Sequence, residues 1–95
     1  MKGDLQFDWD DANLKHVGAH NVSAEEAEQA MENDALDQDY DLVAGEERWT
    51  SIGHTDLLRV LIIKWTMRGE RIRIITVWEA GKKTRIDYFR TKGLL

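Results

Sequence analysis

Apolar and polar positions follow three different rhythms along this chain. Between Asp10 and Met31 the apolar residues recur at intervals of three and four, the spacing of helices with one buried face. Asp10 is an N-cap candidate, followed by Asp11 near the positive end of the helix dipole, with Leu14 and Val17 on one face. Gly18 weakens the last turn and Asn21 suits the left-handed residue that ends a helix, after which VSAEEAEQAM restarts one at once. Ser23 and Glu26 have the spacing of a capping box, and Val22 and Ala27 that of a hydrophobic staple. Ala27, Ala30 and Met31 make a narrow apolar stripe that leaves Glu25, Glu28 and Glu32 to solvent.

From Asn33 to Glu47 the helical period is lost, and an acidic stretch with scattered Leu36, Tyr40, Leu42 and Val43 reads as a weak edge strand and a loop. At Arg48 the vocabulary turns to β: RWTSIGH, LLRVLIIKWT and RIRIITVW are rich in Ile, Val, Trp and Thr and separated by short breaks, which predicts three antiparallel strands. A two-residue hairpin at Arg68-Gly69 would set Met67 opposite Glu70. Trp65, Ile63 and Leu61 then share a face with Ile72, Ile74 and Trp78, while Lys64 joins Arg71 and Arg73 on the other. A three-residue loop would instead disperse that basic cluster. The tail from Gly81 to Lys92 reads as a basic helix with a narrow seam at Ile86 and Phe89. His54 falls in a turn between strands. The order of elements predicts an α+β fold: two N-terminal helices, an antiparallel sheet of three to four strands and a C-terminal helix.

Length and composition narrow the function. Ninety-five residues make one small domain spanning 1–95, and 42% hydrophobic with 33% charged residues suits a packed core under a solvated surface. Without Cys there is no disulfide framework, thiolate metal site or catalytic thiol, and a cytoplasmic home fits best. The N-terminus lacks an apolar signal region and no apolar run is long enough to cross a bilayer, so no membrane partner is expected. The net charge of −5 argues against a nucleic-acid partner until it is divided. Residues 1–45 carry 2 Lys against 12 Asp and Glu, a balance of −10, whereas residues 46–95 carry 11 Lys and Arg against 6 Asp and Glu, a balance of +5. Such asymmetry fits nucleic-acid binding by the second half, and equally fits acidic helices packed beside a basic sheet.

Candidate chemistry is sparse. His16 and His20 are four apart, the spacing of a zinc half-site, but the glutamate of HExxH is missing and no metal or cofactor is expected. Glycine-rich phosphate loops and a nucleophile elbow are absent too. What remains is the arginine-rich sheet and tail: Lys64, Arg71, Arg73, Arg85 and Tyr88. Cleavage of RNA by its own 2′-hydroxyl needs a base, an acid and fixed cations at the pentacoordinate phosphate, and no metal. Arginine suits the cation role because its planar fork holds two phosphate oxygens and stays charged. Tyr88 can carry a proton if nearby arginines lower its pKa, although a tyrosine beside an apolar seam is more often a half-buried packing residue.

FDWD at Phe7–Asp10, Asn13, HNVSAEEAEQ, ERWTSIGHT with Arg48 and Gly53, and above all RGERIRIIT at Arg68–Thr76 resemble the BrnT family, toxins of bacterial type II toxin–antitoxin pairs. The likeness spans most of the chain and continues through Ala80, Arg85 and Tyr88. It implies a RelE-like fold, metal-independent endoribonuclease activity that arrests growth, and neutralisation by a BrnA-type antitoxin through which the complex reaches DNA. It places Arg73, Arg85 and Tyr88 at the catalytic site, beside which Arg48, Lys64, Arg71, Lys82 and Lys83 of the basic sheet and tail are the candidate RNA-binding cations. Trp78 stands where an arginine is usual and Thr84 where a glutamate is common. A second reading keeps the fold and an antitoxin-type partner without turnover.

Overall fold

The computed structural model describes residues 4–95. Both N-terminal helices start where their capping residues stand. At the head of α1 (Asp11–Ala19) the Asp10 carboxylate accepts from the Ala12 and Asn13 amides, and the Asn13 side chain accepts from the Asp10 amide in return. Asn21 takes φ of 60° after it, and Ser23 with Glu26 forms the capping box of α2 (Ala24–Glu32). The inward face of α1 differs from expectation: Asn13 and Val17 are buried and Leu14 is exposed. Burial of Asn13 is offset because its amide donates to the carbonyls of Asp8 and Ile74. Glu28 is likewise half-buried rather than solvated, since it accepts the indole N–H of Trp9.

Four strands form one antiparallel meander in the order of the chain: β1 (Leu36–Val43), β2 (Glu46–His54), β3 (Val60–Arg68) and β4 (Arg71–Glu79). The acidic stretch read as a weak strand and loop is a full edge strand, turned back by Ala44 and Gly45 with φ of 51° and 81°, the signature of a two-residue type I′ hairpin. His54 is the last residue of β2 rather than part of a turn. The β3–β4 hairpin turns one residue later than Arg68-Gly69. Gly69, at φ of 61°, and Glu70 are the central pair, so Arg68 faces Arg71 and Met67 faces Ile72. Each strand moves by one position in opposite senses, so the division of side chains between faces survives near the turn.

A bulge then changes the rest of β4. Trp65 faces Ile74 but Lys64 faces Thr76, which leaves Ile75 without an opposite residue. Beyond it the alternation flips: Val77 joins the buried face of Ile72 and Ile74, and Trp78 lies opposite Ile62 on the other face, not with Ile72 and Ile74 as the spacing predicted.

Helices cover both faces of the sheet. On one, Val17, Ala27, Ala30 and Met31 of α1 and α2 pack on Leu61, Ile63, Ile74 and Val77. Gly53 lets α2 approach, because a Cβ there would run into the Ala30 carbonyl. On the other face, α3 (Lys82–Thr91) lays Tyr88 and Phe89 over Ile52, Val60 and Ile62. Tyr88, not Ile86, is its buried residue. The outer edge of β4 is closed by a parallel bridge from Phe7 to Ile72 and by amide bonds between Asp8, Gln6 and Ile72.

Candidate nucleic-acid interface

The apolar half of the second face lies under α3, and the hairpin half carries cations. Alternation and register place Arg68 beside Arg71, Thr66 beside Arg73, and Lys64 between Thr50 and Thr76 on that face. From β2, Arg48 joins the same row. A groove of about 180 Å³ runs between Arg48, Thr66, Arg68 and Arg73 on the sheet and Ala12, Asn13 and His16 on α1. The bulge at Ile75, which also lines this groove, ends the row of arginines on β4.

Carboxylates hold these arginines in place. Arg73 bridges Asp8 at 3.6 Å and Asp10 at 3.1 Å with only 13% of its side chain exposed. The Asp10 bond raises the Arg73 pKa further, and the same bond holds the Asp10 carboxyl below its usual range. Glu46 lies 2.9 Å from Arg48 and 3.8 Å from Arg68. The guanidinium groups are therefore oriented before any ligand arrives, and an entering phosphate has to compete with Asp8, Asp10 and Glu46 for their N–H forks.

The remaining residues singled out in the sequence lie on α3. Lys82 and Lys83 are exposed in its first turn, Arg85 is half-buried, and Tyr88 is 3% exposed. The Tyr88 hydroxyl sits 2.6 Å from His54 Nδ1. Burial pushes its phenol pKa up, and the charge of Asp34 adds to this, so the neutral hydroxyl is the stable form. The structure thus brings Arg48, Lys64, Arg71 and Arg73 onto one surface and turns Tyr88 towards the end of β2. Sequence reading missed Arg68, which was taken for a turn residue, and the sheet-side role of His16 and Glu46. It also missed the pairing of His54 with Tyr88, for which a separation of 34 residues offers no local signal. Among the described residues no group of three or more His, Cys, Asp or Glu is arranged to hold a metal.

Residues 9–84 match the sequence model of a family described as ribonuclease toxin, BrnT, of type II toxin–antitoxin system. This chain belongs to the BrnT family. The match spans the caps of both N-terminal helices, all four strands and every groove-lining residue, and it stops at Thr84, ahead of Arg85 and Tyr88. A comparison with curated proteins found no match. The family is described as ribonuclease toxins of type II toxin–antitoxin systems, so an antitoxin partner belongs to its definition. No helix among the described residues is long and apolar enough to cross a membrane.

Proposed function

We propose that this BrnT chain is a metal-independent endoribonuclease that arrests growth in the cytoplasm until an antitoxin of the BrnA type binds it. The observation that carries this reading is the open half of the sheet face, where Arg48, Lys64, Arg68, Arg71 and Arg73 converge beside α1. In the reaction the substrate's 2′-oxygen bonds to the adjacent phosphorus, the bond from phosphorus to the 5′-oxygen breaks, and one proton leaves the nucleophile while another reaches the leaving oxygen. Arg73 stabilises the extra negative charge of the phosphorane, while Arg85 lies on α3 over the other half of the face and outside the groove. Arg48, Lys64, Arg71, Lys82 and Lys83 hold flanking phosphates. Tyr88 stands apart from this groove: its partner His54 pairs with Val60, six residues along β3 from the Thr66 that faces Arg73, a separation of roughly 20 Å, so its buried hydroxyl acts in packing and the catalytic role expected for it is withdrawn. In this reading DNA is reached only through the antitoxin.

The test is cleavage of a defined RNA by the purified chain in the presence of a chelator, with Arg73→Ala alongside. The wild type is expected to cut, and the variant to cut roughly 10²- to 10³-fold more slowly, the usual cost of a lost oxyanion-stabilising donor. A folded wild type that binds its antitoxin and cuts nothing turns the reading to a noncatalytic interaction module, the alternative that Trp78 and Thr84 favour.

A further inference from the structure

The face that carries α1 and α2 is not covered along its whole length. Towards the β3–β4 hairpin an apolar row crosses the sheet: Leu42 and Tyr40 on β1, Trp49 on β2, Trp65 and Met67 on β3, and Leu5 beyond β4. Tyr40 lies 5.7 Å from Trp49, and Trp49 stacks on Trp65 with centroids 4.7 Å apart. Leu42 is 60%, Tyr40 51% and Met67 39% exposed, while Trp49 and Trp65 are half-buried between them. The row ends in a groove of about 380 Å³ between Leu5, Trp65, Met67 and Ile72. A contiguous apolar patch on a small chain, here exposed Leu42, Tyr40 and Met67 over half-buried tryptophans, marks a binding surface more often than scattered apolar residues do.

Charge says what covers it. The polar margin consists of Asp4 and Glu70 at the groove and Glu47, which accepts the Tyr40 hydroxyl. By alternation no Lys or Arg of the four strands points to this face, since Arg48, Lys64, Arg68, Arg71 and Arg73 all lie on the opposite one. Four strands about 4.8 Å apart make the row roughly 15 Å long, close to three turns of a helix of pitch 5.4 Å. A helix laid across the strands therefore meets successive strands with successive turns of one apolar stripe.

We propose that this patch anchors a basic amphipathic helix of the antitoxin, with leucine-type residues on the aromatic row and Lys or Arg at the acidic margin. The assignment rests on the toxin reading above and adds where the partner is held: on the side of the sheet away from the arginine groove. Anchoring and RNA contact then draw on separate residues, and a different segment of the partner covers the groove.

The test is calorimetric titration of the full chain with the antitoxin encoded beside it. Leu42→Lys with Met67→Lys alters only exposed positions and is expected to keep the melting temperature and RNA binding while weakening antitoxin binding at least 100-fold. Lys64→Ala with Arg71→Ala is expected to weaken RNA binding while lowering antitoxin affinity by less than about tenfold, since only the covering segment loses contacts. A synthetic 18-residue helix of Leu and Lys should bind the wild type, and its Leu and Glu counterpart should not. Wild-type antitoxin affinity in the Leu42→Lys, Met67→Lys variant overturns the proposal. So does a wild-type dimer that this variant dissociates, which would make a second copy the occupant. A chain that takes the lysine helix but no antitoxin overturns the toxin–antitoxin reading and keeps the surface as a site for basic helices.

Discussion

Arg73 does two jobs with one guanidinium. It ties the N-terminal segment to β4 through Asp8 and Asp10, and it is the least exposed cation of the groove. Because Asp10 is more acidic folded than unfolded, its contribution to stability is present above the ordinary carboxylate pKa and is lost as the pH falls through the lowered value. Asp10→Asn keeps an N-cap acceptor but loses the charge, so its stability is expected to fall less steeply than the wild type's as the pH drops below about 4. Denaturant titrations at several pH values check this. Tyr88→Phe is the second test at this scale. Removing the hydroxyl takes one hydrogen bond from His54 Nδ1 and is expected to cost about 0.5 to 1.5 kcal/mol in unfolding free energy. The distance of Tyr88 from the arginine groove predicts that the same variant cleaves RNA at the wild-type rate, whereas a loss of roughly 10²- to 10⁴-fold would return the hydroxyl to the catalytic site. A variant that melts lower but cuts at the wild-type rate assigns the hydroxyl to packing alone.

Between elements, two backbone features decide how the surface is assembled. Gly53 is the contact point of β2 with α2, and Gly53→Ala pushes a methyl group against the Ala30 carbonyl. The expected penalty is about 1 to 3 kcal/mol, read as a lower midpoint in urea with unchanged slope. At the β1–β2 hairpin Ala44 holds a left-handed φ that alanine rarely adopts, whereas asparagine favours this position of a type I′ turn. Ala44→Asn is therefore expected to raise the melting temperature, a stabilisation that calorimetry can measure without any change in the groove. Ser23→Ala, which removes the acceptor for the Glu26 amide, should lower stability by about 1 kcal/mol.

Across the whole molecule, a net charge of −5 coexists with a concentrated basic surface because alternation puts every Lys and Arg of the four strands on one face of the meander, even though Asp39, Asp41 and Glu46 share that face. Arginines and Lys64 line the open half of one face, while the opposite face carries carboxylates around the aromatic row. Phosphate binding should then depend on local rather than total charge. Lys64→Ala with Arg71→Ala is expected to flatten the logarithmic salt dependence of RNA binding by about one unit per lost phosphate contact. An unchanged slope in that variant would mean the cluster is only a solvated strand end.

The sequence by itself determined the elements whose signals are local: both capped helices, the Asn21 break, the β-rich second half and the resemblance carried by RGERIRIIT. It also predicted the gathering of Lys64, Arg71 and Arg73, because a hairpin displaced by one residue on each strand preserves facing. Tertiary structure decided what depends on distant partners. Trp78 changed sides because a bulge at Ile75 adds one residue to a period of two, and no composition marks that position. Leu14 yielded the interior to Asn13 because the carbonyls of Asp8 and Ile74 needed a donor. Tyr88 met His54 only when α3 folded back over the end of β2, which joins residues far apart in the chain by burial and one hydrogen bond.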